Sequence, residues 1–346
     1  MMTGGDGDKS GIAGGPARHI PVLLDRVREA MAPAPGDVIV DGTFGAGGYS
    51  SAFLDAGASV IGIDRDPDAI RDGRALEQAS DGCLKLVHGQ FVDLEEHARA
   101  LGHDAVDGVV MDLGVSSMQL DQAARGFSFR FDGPLDMRME QDGPSAADVV
   151  NTMERKDLTR IIGLLGEEKR ASSVSHAICQ AREEKPFETT LELARVIEKV
   201  VKRNPKKASI HPATRTFQAL RIYVNGELHQ AAGALAAAER ILRPGGRLVV
   251  VTFHSLEDRI VKRFLADRCK TRGGGSRHMP EVDIPPPTFE FIVKGNQDAS
   301  VEEIADNPRA RSARLRAGRR LDSPARPLDI HEAGVPRLAS FHGLGG

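Results

Sequence analysis

The chain has 346 residues, 40% of them hydrophobic and 27% charged, the balance of an ordinary soluble globular protein long enough for one large domain or two of ordinary size. Its net charge of −3 argues against a generic polyanion binder, and no stretch approaches the ~18–20 consecutive apolar residues that a membrane-spanning helix needs. Cys83, Cys179 and Cys269 lie far apart and form no CxxC pair, which suggests neither a local zinc site nor a disulfide framework and fits a reducing, cytoplasmic setting.

Residues 1–17 include six glycines and no apolar core, so a flexible tail is expected there rather than a signal peptide. Apolar runs bounded by turn residues then recur as buried strands at Val38–Asp41, Ser59–Asp64, Leu84–Val87, Gly108–Asp112 and Leu248–Phe253, with a weaker edge strand at Thr288–Val293. Helical patterns lie between most of them, which predicts a doubly wound α/β domain with a parallel sheet. The spacing breaks once, because 117–213 holds Pro/Gly-rich loops and helical patterns but no convincing strand. One of those helices opens on the capping box Thr189-Thr190-Leu191-Glu192. A long helix is expected from Thr216 to Leu242, ended by Pro244-Gly245-Gly246. The layout is therefore an α/β domain over 18–116 and 214–300, an inserted all-helical domain over 117–213, and a basic extension over 301–346. Residues 271–287, rich in Gly and Pro, read as a mobile loop.

Two stretches concentrate positive charge. Lys199 to Lys207 holds five lysines or arginines, and Arg309, Arg311, Arg314, Arg316, Arg319 and Arg320 follow one another without an acid. Such a run is either a solvated tail or a phosphate-binding surface, and the purity of its charge favours phosphate.

The strand Val38–Asp41 runs into Gly42-Thr43-Phe44-Gly45-Ala46-Gly47-Gly48-Tyr49, a Gly-rich turn that lets a ligand approach the backbone. The next strand ends in Asp64, whose carboxylate can accept from a ribose diol. After the third strand Phe91 can cover an adenine face, and the fourth ends in Asp112 at the edge where such sheets bind ligands. Nicotinamide binders usually show GxGxxG, whereas an acid followed by GTFGAGG suits an S-adenosylmethionine site. The alternative is that these glycines serve only tight turns and Asp64 is a surface acid.

These residues sit within longer stretches that carry a resemblance: HIPVLLDRV at His19, DGTFGAGG at Asp41, DLGVSSMQLD at Asp112 and RGFSFRFDGPLDMRM at Arg125. HPATRTFQALRIYVNGEL at His211, PGGRLVVVTFHSLEDRIVKRF at Pro244 and NPRARSARLR at Asn307 complete the set. With them the chain closely resembles the RsmH (MraW) family of bacterial 16S ribosomal RNA (cytosine-N4)-methyltransferases. The resemblance implies a class I (Rossmann-like) S-adenosylmethionine-dependent methyltransferase with an inserted helical domain. It also implies methylation of N4 of a decoding-centre cytidine in the small ribosomal subunit. By position, the implied cofactor contacts are Gly47, Gly48, Tyr49, Asp64, Phe91, Asp112 and Gln119. Tyr49 departs from the His usual in the family; a backbone contact survives that change, an imidazole role does not. Met118 stands where Pro is usual.

The exocyclic amine of cytosine is a poor nucleophile, so the site must place it in line with the methyl donor and accept its protons. Asp112 is the expected catalytic group. Many amino methyltransferases follow this acid with Pro-Pro-aromatic, but Leu113-Gly114-Val115 follows here, so a stacking ring is sought in Tyr49, Phe127 or Phe129. A paired target base would have to be turned out of its stack. His254 is a second catalytic candidate, with a purely structural hydrogen bond as its alternative. Glu257 and Asp258 beside it read as helix caps rather than metal ligands, and no metal is expected. His211 and Arg215 are candidate RNA contacts, weighed against an ion pair between domains, as are Arg309, Arg311, Arg314 and Arg316. Asp136 and Arg138 are expected to organise the insert's loop. Rival readings are a methyltransferase for DNA or protein, a nicotinamide oxidoreductase, and a non-catalytic assembly factor.

Overall fold

The structure, a computed structural model, describes residues 21–202, 211–271, 285–295 and 297–340. The expected tail over 1–17, residues 203–210 of the first basic stretch and most of the 271–287 loop lie outside the described residues.

Strands β1 (Val38–Asp41), β2 (Ser59–Asp64), β3 (Leu84–His88), β4 (Val106–Asp112) and β5 (Leu242–Thr252) are parallel neighbours, as their buried Val/Ile/Leu runs predict. With β6 (Phe289–Phe291), β7 (Gln297–Asp298) and β8 (Arg314–Arg320) they form one sheet in the order β3-β2-β1-β4-β5-β8-β6, β7 pairing with β8. Side chains alternate between two apolar layers: Ile39, Val110 and Val249 face one, while Val40, Met111 and Val250 face the other. The first layer is covered by α1 (Leu24–Met31), α2 (Gly48–Leu54) and α3 (Pro67–Ala79). The doubly wound expectation therefore holds.

On the second face lie α4 (Leu94–Ala100) and, after β4, the insert. It consists of α5 (Ser117–Asp121), α6 (Ala146–Thr152), α7 (Arg155–Leu165), α8 (Ala171–Glu184) and α9 (Thr190–Val200), and among the described residues it has no strand. The capping box at Thr189 forms as expected, its hydroxyl accepting from the Glu192 N–H. The insert has no separate core. Its buried Val149, Ile161, Val174 and Leu193 belong to the same apolar cluster as Met111 and Val250 of the sheet.

Three expectations are corrected. The long helix is two, α10 (Thr214–Val224) and α11 (Glu227–Ile241), broken at Asn225-Gly226, where Gly226 takes φ 58°. The Asn225 side chain accepts from the Met139 N–H at 2.9 Å and donates to the Met137 carbonyl at 2.8 Å, tying the break to the insert's loop. α10 packs on α6 and α7 of the insert. Pro244-Gly245-Gly246 lies inside β5, not at a helix end; α11 stops earlier, and the PGG stretch falls where the register against β4 shifts.

The third correction concerns 301–346. Instead of an extension, it supplies the short α13 (Val301–Asp306), the reversed strand β8 between β5 and β6, and α14 (Ile330–Ala333) against α11 and α12 (Ser255–Arg268). A buried polar knot holds this return. Glu239 of α11, fully buried, accepts from Arg268 Nε at 2.9 Å and from the Thr288 hydroxyl at 2.6 Å. Arg268 donates on to the carbonyls of Arg326 and Pro327. Removing Glu239 leaves the buried Arg268 with only the exposed Asp267 as a counter-ion, so Glu239→Ala is expected to cost about 3–5 kcal/mol in equilibrium denaturation. A loss below about 1 kcal/mol would show that the knot does not hold the fold.

Candidate cofactor and substrate site

A cavity of about 330 Å³ opens at the carboxyl ends of β1, β2 and β4 and is walled by the Gly-rich turn, α5 and the segment after β5. The turn is built by backbone hydrogen bonds. The Phe44 N–H donates to the Ile63 carbonyl at 2.9 Å, and the Gly45 N–H to Asp64 Oδ2 at 2.8 Å. Gly47 has φ 75°, and a Cβ there would meet the Phe44 ring at 2.9 Å, so only glycine closes the turn. Asp64 Oδ1 accepts from the Asp66 N–H at 2.8 Å, which aims the carboxylate across the mouth of the turn. Asp66 in turn accepts from Gln119 Nε2 and Arg125 at 2.8 Å each, drawing α5 over the cavity.

Of the expected cofactor residues, Gly48, Tyr49, Asp64, Phe91, Asp112 and Gln119 line this cavity; Gly47 shapes the turn without lining it. Tyr49 lies 4% exposed with its hydroxyl on the Val22 carbonyl, so its ring is structural and is not the stacking aromatic. Nor are the other two rings sought for that role: Phe127 is buried, and Phe129 packs 4.5 Å from the His211 ring and 4.8 Å from Phe217.

Three carboxylates at the sheet edge are starved of compensation. Burial pushes Asp41 up to about 6 even though Ser50 Oγ donates to it at 2.7 Å. Burial likewise lifts Asp64 to about 6, against its two backbone hydrogen bonds. Asp112 is raised well above the ordinary range by burial, then by the neighbouring charges of Asp41 and Glu257. Its Oδ1 is buried without a hydrogen-bond partner, while its own N–H is held by Thr43 Oγ1 at 2.6 Å. A pocket with this surplus of negative charge and an orphan acceptor favours a cation. S-Adenosylmethionine, with a sulfonium, an ammonium and a ribose diol, fits that donor set.

His254 does not line the cavity. It caps α12: its Nδ1 accepts from the Glu257 N–H at 3.4 Å, while Glu257 Oε2 accepts from the N–H groups of Phe253 and His254 at 3.1 and 3.3 Å. That use of the Nδ1 lone pair puts the proton on Nε2, which lies 3.0 Å from Glu257 Oε1 without good hydrogen-bond alignment. In this state His254 has no free lone pair, so the structural alternative replaces its role as a base. Glu227, His254 and Glu257 do converge within metal-ligand distance, but Arg221 forks onto both oxygens of Glu227 at 2.8 and 2.7 Å. Burial raises Glu257, yet His254, Arg221 and the Phe253 amide outweigh it and hold the carboxyl below its usual range. The Glu257 half of the expected cap holds. Asp258 instead pairs with Arg316 at 2.7 Å and Arg314 at 3.0 Å.

The arginine run divides accordingly. Arg316 is 7% exposed and spent on Asp258 and the Gly295 carbonyl, so it is withdrawn from RNA contact. Arg320 is buried against backbone carbonyls, and Arg319 pairs with Glu290. Arg314 is exposed but paired with Asp258. Arg309 reaches Asp121 at 2.9 Å on the cavity rim, and Arg311 is exposed with no ion pair among the described residues. His211 bonds Glu198 at 2.7 Å, and Arg215 donates to the Glu167 carbonyl at 3.1 Å, so both tie the insert together. Arg138 forks onto Asp136 and organises the loop as expected. Sequence reasoning missed Arg221 and Phe253, which line the cavity, although both stand inside the quoted stretches that begin at His211 and Pro244.

The MraW methylase family matches residues 16–321. Ribosomal RNA small subunit methyltransferase H of Mesorhizobium japonicum is 61% identical over 337 residues, 97% of each chain. The proteins of that name from Rhizobium meliloti and Agrobacterium fabrum are 58% and 56% identical over 346 residues, the whole of each chain.

Because folding raises Asp41 and Asp64 from 3.8 to about 6, the free protein loses stability as pH climbs through that window, and a bound cation that favours the ionised forms restores it. Calorimetric titration is expected to show S-adenosylmethionine binding weaken as pH falls below about 6. Asp64→Asn should remove part of that dependence, and a flat affinity between pH 5 and 7.5 would contradict the electrostatic account.

Proposed function

The chain belongs to the MraW methylase family, and we propose that it methylates the exocyclic N4 of a decoding-centre cytidine in 16S ribosomal RNA of the small ribosomal subunit. It is an S-adenosylmethionine-dependent methyltransferase. The observation that carries this reading is Asp112 at the end of β4, which lines the cavity and has its Oδ1 buried without a hydrogen-bond partner.

Asp64 would hold the ribose diol and Phe91 the adenine, with the backbone of Gly48 and Tyr49 at the methionine end. The bound cofactor supplies an electrophilic methyl group, so no metal is called for. Asp112 accepts an amino hydrogen of the cytosine, which keeps the nitrogen lone pair directed at the donor. Gln119 and Arg125, anchored on Asp66, hold α5 across the cavity and limit water. Arg309 and Arg311 offer phosphate contacts at and near the rim, which suits recognition by backbone and shape in a chain with 4% aromatic residues and no Trp. Among the described residues no helix is long and apolar enough to cross a membrane.

The test is transfer of radiolabelled methyl to small subunits from a strain lacking this gene, followed by nucleoside analysis. Label is expected as N4-methylcytidine; another methylated nucleoside, or none, overturns the assignment. Asp112→Asn is expected to lose roughly 10²-fold in kcat measured at saturating S-adenosylmethionine, beyond any weakening of cofactor binding. Full turnover in that variant would remove Asp112 from the chemistry. Arg311→Ala should flatten the log–log dependence of substrate affinity on salt by about one unit, and an unchanged slope would exclude a phosphate contact.

A further inference from the structure

The family resemblance leaves one part of the site unassigned. Aromatic stacking is the usual means of holding an extruded base, yet the residues after Asp112 are Leu113-Gly114-Val115, none of them aromatic. Among the described residues four aromatic rings line the cavity: Phe44, Tyr49, Phe91 and Phe253. Phe44 is 3% exposed and wedged beneath Gly47 and Gly62, and Tyr49 is 4% exposed with its hydroxyl spent on Val22. Only Phe91 and Phe253 present a partly exposed face.

Those two rings stand at opposite ends of the site. In the strand order β3-β2-β1-β4-β5, Phe91 follows β3 beside the ribose acid Asp64 of β2, while Phe253 follows β5 beside Asp112 of β4. The nearest atom to a Cβ built on Gly114 is Phe253 Cδ2 at 3.6 Å, which sets the ring directly against the turn after Asp112. Gly114 itself takes φ 112°, so a side chain there would strain the turn. The backbone that carries the ring is also held. The Phe253 backbone N–H donates to Glu257 Oε2 at 3.1 Å, and Glu257 is fixed in turn by the reciprocal cap with His254 and by the nearby charge of Arg221.

We propose that Phe253 is the stacking face for the acceptor base, positioned so that the base edge meets Asp112. This rests on the reading of the cavity as a nucleobase methylation site and deepens it. The cap of His254 and Glu257 then has a function in catalysis without either residue touching substrate: it sets the height of the ring above the sheet edge.

The experiment compares F253L, which keeps apolar bulk but removes the π-face, with F253Y, which keeps both, on small subunits from a strain lacking this gene. Both variants should bind S-adenosylmethionine within about twofold of the parent enzyme, which also reports correct folding. F253L is expected to lose roughly 5- to 150-fold in kcat/KM, the equivalent of one base–aromatic stack, and F253Y less than about threefold. Should F253L bind cofactor poorly, F253M, with its adaptable side chain, makes the same comparison. Unchanged kcat/KM with cofactor binding intact overturns the proposal. If the parent forms a methylated nucleoside other than N4-methylcytidine, the cytosine reading fails while the same ratio, measured on the product formed, still decides the role of Phe253. Absence of any transfer overturns both.

Discussion

Three carboxylates, Asp41, Asp64 and Asp112, end three of the central strands, and the arrangement around them follows from the need to keep such charges tolerable in a buried place. Backbone N–H groups meet part of that need, which is why the Gly-rich turn folds back onto Asp64 and Asp41. Asp112 is left with an orphan oxygen. A carboxylate in that state is costly in the free protein and effective against a cation or an amine. The site therefore stores, as imperfect solvation, part of the free energy that it returns on binding.

The insert serves the same edge. It shares its apolar core with the sheet, so it is not a module free to swing on a linker. Polar cross-links at the seam strengthen that union: Asp66 with Gln119 and Arg125, Arg65 with Glu140, and Asn225 with the loop backbone at Met137 and Met139. Two of these anchors, Arg65 and Asp66, follow Asp64 directly in the chain. The carboxylate of Asp64 and the residues that anchor the insert are thus neighbours in one short segment after β2.

Much was legible before any coordinates. Strand positions followed from short apolar runs, because a parallel strand buried on both faces needs them at every position. The Gly-rich turn, Asp64, Phe91 and Asp112 were readable because the carboxyl edge of such a sheet is where backbone geometry makes a ligand site. The break in strand spacing revealed the insert. The break between α10 and α11 was missed because the apolar stripe runs unbroken through Asn225 and Gly226, and only the bonds of the Asn225 side chain show that the chain turns there.

Local sequence therefore determined the sheet, the cofactor turn and the acids at strand ends, since each depends on residues a few positions apart whose pattern repeats with the element's own period. Partners distant in the chain were decided by the tertiary structure alone. Six consecutive arginines without an acid read as a free basic surface, yet β8 carries Arg316 to Asp258 and Arg319 to Glu290, and buries Arg320 among carbonyls. His254 looked like a base until the cap with Glu257 claimed its lone pair, and Phe253 drew no notice until β5 brought it beside Gly114. Charge and aromatic type are properties of a residue, but whether they are available is settled by what folding sets against them.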